Sequence, residues 1–145
     1  RLPPPELGDV ELGALVGRVA ALERRMAIAV EPGPELGVRA DRDQLEQLLI
    51  NLCANAVDAA LPEHGKVAIA WGREGRHAWV RVRDEGPGIG ETANLFVPFF
   101  STKPGGSGIG LVLSRRIAES HGGSVALKNR DDGRGAEALV RLPLP

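Results

Sequence analysis

Apolar residues at Leu12, Leu15, Val16, Val19 and Leu22 recur at the spacing of one helical face, so 10–26 predicts an amphipathic helix. Two short apolar stretches, 27–30 and 37–40, predict strands flanking the Pro32-Gly33-Pro34 turn. The strongest helical pattern runs over 42–61, with Asp41 placed to cap it, Gln44 three residues on, and Pro62 and Gly65 to end it. Alternating apolar and polar residues over 66–71 and 78–84 predict two strands joined by a turn around 72–75. A glycine- and proline-rich segment then extends to about 108, a length that in a compact domain marks a functional lid or disorder. A helix to His121, stopped by Gly122-Gly123, and strands at 124–128 and 137–142 around a turn at 131–135 complete the pattern. Helices and strands mix without a regular βαβ alternation. The expected fold is therefore α+β, a two-layer sandwich with a mixed sheet covered by helices on one face.

The chain of 145 residues suits one domain. Lys and Arg number 18 against 19 Asp and Glu, a net charge of −1, which argues against nucleic acid as the main partner. Apolar runs are far below the roughly 20 residues of a membrane helix, and no signal peptide opens the sequence, so a soluble, cytoplasmic piece is expected. The lone Cys53 falls inside a helical apolar run and reads as a small buried hydrophobe. The opening Leu-Pro-Pro-Pro resembles a linker. The expected organisation is a linker at 1–8 from an upstream domain and one folded unit at 9–145, with any membrane anchor outside this piece.

The candidate chemistry begins at Lys103-Pro-Gly-Gly-Ser-Gly-Ile-Gly-Leu111, which runs straight into a helical pattern. Such glycines admit backbone N–H groups close to a polyanion, a helix starting there points its positive dipole end the same way, and Lys103 adds a cation. The alternative is an ordinary flexible loop. On the 42–61 helix, Leu45, Leu48, Leu49, Leu52, Cys53 and Ala56 make a core stripe, whereas Gln47, Asn51, Asn55 and Asp58 stack on another face. Asparagine is a mediocre helix former, and its oxygen suits a hard cation such as Mg²⁺; a merely solvated face is the competing reading. Asp84 ends its strand on the same face as Val80 and Val82, so its carboxylate points toward the apolar side and needs a partner. An adenine amine donating to Asp84 is one candidate, and an Asx-type turn bond the other. Gly86, Gly88 and Gly90 form G-x-G-x-G rather than a dinucleotide fingerprint, and no Walker-type P-loop is present.

Taken in order, Asn51-Leu-Cys-Ala-Asn55-Ala, Asp84-Glu-Gly-Pro-Gly-Ile-Gly90, Phe96-Val-Pro-Phe-Phe100 and Gly106-Ser-Gly-Ile-Gly-Leu111 resemble the N, first glycine, F and second glycine boxes of the sensor histidine kinase catalytic and ATP-binding domain. That domain belongs to the ATPase superfamily shared with gyrase B, Hsp90 and MutL, and the glycine-box wording is most similar to the nitrogen-regulation subtype. The resemblance covers about 9–145 and implies the Bergerat ATP-binding fold. It implies that ATP and Mg²⁺ are bound, with Asn55 as metal ligand, Asn51 and Lys103 near the phosphates and assisting transfer, and Asp84 on the adenine amino group. Gly86, Gly88 and Ile89 would shape the adenine pocket; Gly106, Ser107, Gly108, Ile109, Gly110 and Leu111 would form the phosphate cradle; and 96–106 would be a flexible lid. Phe99 and Phe100 are read as packing residues.

Three departures bear on the chemistry. Where the gyrase, Hsp90 and MutL branch places a water-activating glutamate, this chain has Asn51, and an amide is no useful base near neutral pH, so slow hydrolysis and phosphoryl transfer are expected. Gln47, at a position often acidic in sensor kinases, is likewise no base but is suited to orienting the acceptor. Ala136 stands where a threonine is common in the last glycine motif, Gly133-Arg-Gly-Ala136. None of His64, His77 and His121 has the surroundings of the family's phosphorylated histidine, and His121 reads as a helix-capping residue. The resemblance therefore implies a protein histidine kinase module. Its partners would be ATP or ADP, an adjoining dimerisation and phosphoacceptor domain, and a response regulator. The isolated piece would be monomeric. A GHKL-type ATPase clamp and a nucleotide-binding pseudokinase are the alternative functions.

Overall fold

A computed structural model of the chain describes residues 2–89 and 109–145. Its elements are β1 (Gly8–Glu11), α1 (Leu12–Leu22), β2 (Ala29–Val30), β3 (Gly37–Ala40), α2 (Arg42–Ala60), a 3₁₀ turn (Leu61–Glu63), β4 (Val67–Glu74), β5 (His77–Asp84), α3 (Ile109–Ser120), β6 (Ser124–Asn129) and β7 (Ala136–Pro143). A five-stranded sheet runs in the order β2-β4-β5-β7-β6, with β2 parallel to β4 and every other pair antiparallel. The α+β sandwich with a mixed sheet is thus the observed fold. A second, two-stranded sheet joins β1 to β3.

The helical faces read from the sequence are the buried ones. Leu12, Leu15, Val16 and Val19 of α1 and Leu45, Leu48, Leu49, Leu52, Cys53 and Ala56 of α2 share one core with Ile69, Val80, Val82 and Val140 of the sheet. Removing each such leucine from water contributes about 2 kcal/mol. The stripe of α2 is therefore what seats this helix over β4 and β5. On the opposite face of β5, Trp79 covers Gly72, and the Arg81 guanidinium lies 5.3 Å from the Trp79 ring centroid.

Caps fix where the helices begin and end. Asp41 Oδ1 accepts from Gln44 N at 3.1 Å, as expected of an N-cap, but the Gln44 side chain donates to Pro3 O instead of reaching back to close a capping box. The N–H of Asp41 is taken instead by His121. Asp41 Oδ2 accepts from Glu6 N at 2.9 Å, so the residues expected as a linker lie against the start of α2. Glu11 caps α1 through Ala14 N and also accepts from Leu36 N.

Four local expectations need correction. The first helix begins at Leu12 and ends at Leu22, because Val10 is drawn into pairing with Val38. The strand expected at 27–30 is only Ala29–Val30; it joins the main sheet, whereas β3 on the other side of the Pro32-Gly33-Pro34 turn pairs with β1. Gly72 sits within β4, opposite Trp79, and the turn is the two-residue Gly75-Arg76, which leaves Glu74 facing His77. β4 accordingly extends past Trp71 to Glu74, three residues beyond the strand read from alternation.

Candidate functional site

A cleft of about 140 Å³ opens between the second half of α2 and the adjoining ends of β5 and β7. Asn55, Asp58 and Ala59 line its helical wall, Asp84, Val82, Ala136 and Ala138 its sheet wall, and Pro87, Gly88 and Ile89 the loop between them. Half-buried Asn55 and its neighbour Asp58 reach this wall because α2 commits its leucines to the core and leaves an adjacent face over the cleft.

Asp84 is the polar centre of the cleft. It is only 6% exposed, on the inward side of β5 that also carries Val80 and Val82. One oxygen, Oδ1, accepts from both Gly86 N at 2.9 Å and Ala136 N at 3.2 Å. The Asx-type turn bond and the inward-facing carboxylate therefore coexist, because the turn occupies Oδ1 and leaves Oδ2 to the cleft. Burial pushes the Asp84 carboxyl above its ordinary value, and the pull of the two N–H groups and of Arg130 in the other direction does not cancel it.

The backbone around Asp84 is set by close approach. Gly135 has φ +121°, and a Cβ there would lie 1.9 Å from the Asp84 carbonyl oxygen. Only a glycine fits between the start of β7 and the end of β5. Gly88, at φ +88°, is pressed against Asn129 in the same way. Asn129 then holds the loop with two bonds, accepting from Ile89 N at 2.7 Å and donating to Ile89 O at 3.1 Å. Arg130 donates to the Asp84 carbonyl at 3.3 Å. Neither Asn129 nor Arg130 stands out in the sequence, since each acts on backbone atoms at least forty residues away.

Three ion pairs brace the rim. Arg25 bonds Asp58 and, at 3.0 Å, Glu23, tying the end of α1 to the helical wall. Arg134 reaches Glu63 at 2.7 Å, joining the β6–β7 turn to the 3₁₀ turn after α2. The described lining thus carries Asp58, Glu63 and Asp84 and no lysine or arginine. Such a cavity favours a neutral or amine-bearing group over an anion.

Beyond the cleft, Asn51 lies beside the first turn of α3. Its Cγ is 3.9 Å from the place a Cβ on Gly110 would take. Gln47 Nε2 donates to Asn51 Oδ1 at 2.8 Å, while the Asn51 Nδ2 is buried without a partner. Leu111 is buried in the core cluster, so its contribution to a cradle is its backbone. Lys103, Gly106, Ser107, Gly108, Gly90, the phenylalanines at 96, 99 and 100, and the side chain of Ile109 lie outside the described residues. The structure therefore unites Asn55, Asp84, Gly88 and Ile89 in one cleft, with Gly86 bonded to Asp84, and places Asn51 beside Gly110.

Among the described residues no group of three or more His, Cys, Asp and Glu is placed to hold a metal ion. The half-buried Asn55 in the cleft wall carries an amide oxygen of the kind Mg²⁺ accepts, an ion that takes one or two protein oxygens and completes its shell with waters and substrate phosphates. No described helix is long and apolar enough to cross a membrane.

An acidic, amine-accepting cleft on a mixed sheet covered by helices marks a small-molecule-binding class of domain. The chain belongs to the histidine kinase-, DNA gyrase B- and HSP90-like ATPase family, which it matches over residues 40–145. It is similar to the C4-dicarboxylate transport sensor protein DctS of Rhodobacter capsulatus, at 36% identity over 97% of this chain and 23% of that protein. Among solved structures it is similar to the catalytic domain of the histidine kinase ThkA, at 34% identity and a TM-score of 0.81 over 95% of each chain. ThkA has also been solved in complex with the response regulator protein TrrA. Full-length ShkA in complex with AMPPNP is 29% identical, with a TM-score of 0.81 over 96% of this chain and 31% of that one. The chain spans about a quarter of the length of the curated relatives it matches. Those relatives are sensor histidine kinases, and this chain is their catalytic ATPase domain.

Proposed function

We propose that this domain binds Mg²⁺-ATP in the cleft and delivers the γ-phosphoryl group to a histidine on an adjoining domain of the same kinase. The observation that carries the reading is Asp84, a buried carboxylate with one oxygen fixed by two N–H groups and the other left to the cleft. An adenine amine is the donor that geometry suits. With the base against Asp84, the phosphates would extend away from the acidic wall toward Asn51 and the N-terminal side of α3, since a helix dipole favours anions at that end. Asn55, between the two ends, is the residue that would hold Mg²⁺, whose charge would offset that building up on the phosphates. Lys103, Gly106, Ser107 and Gly108 are assigned to the phosphate end by their motif.

Transfer is the favoured outcome over hydrolysis. The α2 face beside α3 presents the amides of Gln47 and Asn51, and the neighbouring carboxylate Glu46 is held by Arg18 at 2.7 Å. As amides, Gln47 and Asn51 supply no base for water. The acceptor imidazole brings its own lone pair: its nitrogen bonds the γ-phosphorus as the bond to the β–γ bridging oxygen breaks, and ADP leaves. The domain contributes position and charge neutralisation. A response regulator downstream, a cytoplasmic location and a monomeric state for the isolated domain complete the proposal.

The test is calorimetric titration of the chain with a non-hydrolysable ATP analogue, with and without Mg²⁺, and with GTP as control. Adenine-selective, Mg²⁺-dependent binding is expected, followed by transfer when a dimerisation and phosphoacceptor domain is supplied in trans. A folded sample that binds nothing at millimolar nucleotide would overturn the reading.

A further inference from the structure

Gln47 lies one turn before Asn51 on α2, with its side chain exposed. Its Nε2 donates to Asn51 Oδ1 at 2.8 Å. On the same amide, Asn51 Nδ2 is shielded from solvent and has no partner. A buried donor without an acceptor is unfavourable, and among the described residues nothing relieves it, which marks the atom as waiting for a ligand. Its neighbour is the first turn of α3, since the Asn51 Cγ stands 3.9 Å from a Cβ built on Gly110.

An asparagine amide has a broad, nearly two-fold torsion about its last bond, so unaided it presents its oxygen or its NH₂ outward with little preference. The two choices differ chemically. An outward oxygen would serve a cation but repel a phosphate, whereas an outward NH₂ would donate to a phosphate. We infer that Gln47 is a positioning residue: by holding the Asn51 carbonyl it turns the Asn51 NH₂ toward the nucleotide phosphates. This rests on the ATP reading above and divides the labour of two asparagines one turn apart. Asn51 is a donor to phosphate, and cation ligation is left to Asn55.

The substitution Gln47→Met keeps length and neutrality and removes the donor. Because Gln47 is exposed, the variant folds as the parent does. Titration with the non-hydrolysable ATP analogue and Mg²⁺ is expected to show a loss of about three- to tenfold, the size of one ordinary hydrogen bond. Adenosine, which lacks phosphates, is expected to bind both proteins equally. On an Asn51→Ala background the Gln47→Met effect should vanish, because the residue acts only through Asn51. An equal loss for adenosine, or a Gln47→Met effect that persists in the Asn51→Ala background, would overturn the inference.

The ligand-free protein gives an independent readout. A through-hydrogen-bond NMR coupling from Gln47 Nε2 to Asn51 Cγ is expected. A coupling in the reverse sense, from Asn51 Nδ2 to Gln47 Cδ, or none at all, would refute the assignment. Should the parent chain bind no ATP analogue, the ATP reading and the phosphate role fail together, while the coupling still decides whether Gln47 sets the amide.

Discussion

His121 Nε2 accepts the backbone N–H of Asp41 at 3.0 Å, and its Nδ1 lies 2.8 Å from the Ile117 carbonyl. Since Asp41 N is a donor, Nε2 carries the lone pair and Nδ1 the proton. A single neutral ring thus fastens the end of α3 to the start of α2. It is a capping residue, as its place before Gly122 implies, but it caps two helices at once. His121→Ala strands a part-buried N–H and is expected to cost about 1–2 kcal/mol. A lower urea midpoint at constant slope would show it, and an unchanged midpoint would refute it.

Asp84→Asn separates recognition from stability. Both N–H groups require an oxygen at Oδ1, so the asparagine NH₂ must take the position that faces the cleft. Two donors then meet where the adenine amine binds, and a loss of at least about tenfold in ATP affinity is expected. A 6-oxo purine, which accepts at that position, should gain relative to ATP. The same titration with ITP checks the switch.

The pH dependence of that variant follows from the raised pKa of Asp84. Between the unfolded value, about 3.9, and the higher folded one, the native state binds more protons than the unfolded state. Stability from this group is therefore lost as pH rises through that window. Asp84→Asn lacks the ionisation, so at pH 7 it should melt at or above the parent temperature, with the difference shrinking below the carboxylate range. Thermal scans from acid to neutral pH measure this, and a lower melting temperature at pH 7 would contradict it.

Gly135→Ala places a methyl group against the Asp84 carbonyl at a φ of +121°. More than about 2 kcal/mol of destabilisation is expected, together with weakened nucleotide binding as Ala136 N is drawn away from Asp84. Gly133→Ala is the control, with open space at its Cβ. It shares the unfavourable φ without the collision, so it should cost less.

Asn55→Ala should reduce affinity for the ATP analogue mainly when Mg²⁺ is present. An equal loss with and without the cation would argue against ligation by Asn55.

Much of this was readable from the chain because the signals are local. The period of two along β5 puts Asp84 inward, and the i, i+3, i+4 stripe of α2 leaves Asn51 and Asn55 off the core. What escaped is tertiary. Val10 looks helical until Val38 pairs with it, and Gly72 looks like a turn until Trp79 lies over it. Asn129 and Arg130 grip backbone atoms that no spacing rule connects to them. The rim pairs Arg25–Asp58 and Arg134–Glu63 join segments brought together only by packing. The inert reading of Cys53, by contrast, needed only its place in the stripe, and burial pushes its thiol up to about 12.

The order β2-β4-β5-β7-β6 has a bearing on how the protein comes into being. β7 is made after β6 yet lies inside it, between β5 and β6, so a nascent chain that stops at residue 135 has no neighbour for β6. It also lacks the Ala136 N–H that helps aim Asp84. Competence to hold nucleotide therefore waits on the pairing of β7, the strand that closes the sheet and aims Asp84 in the same step.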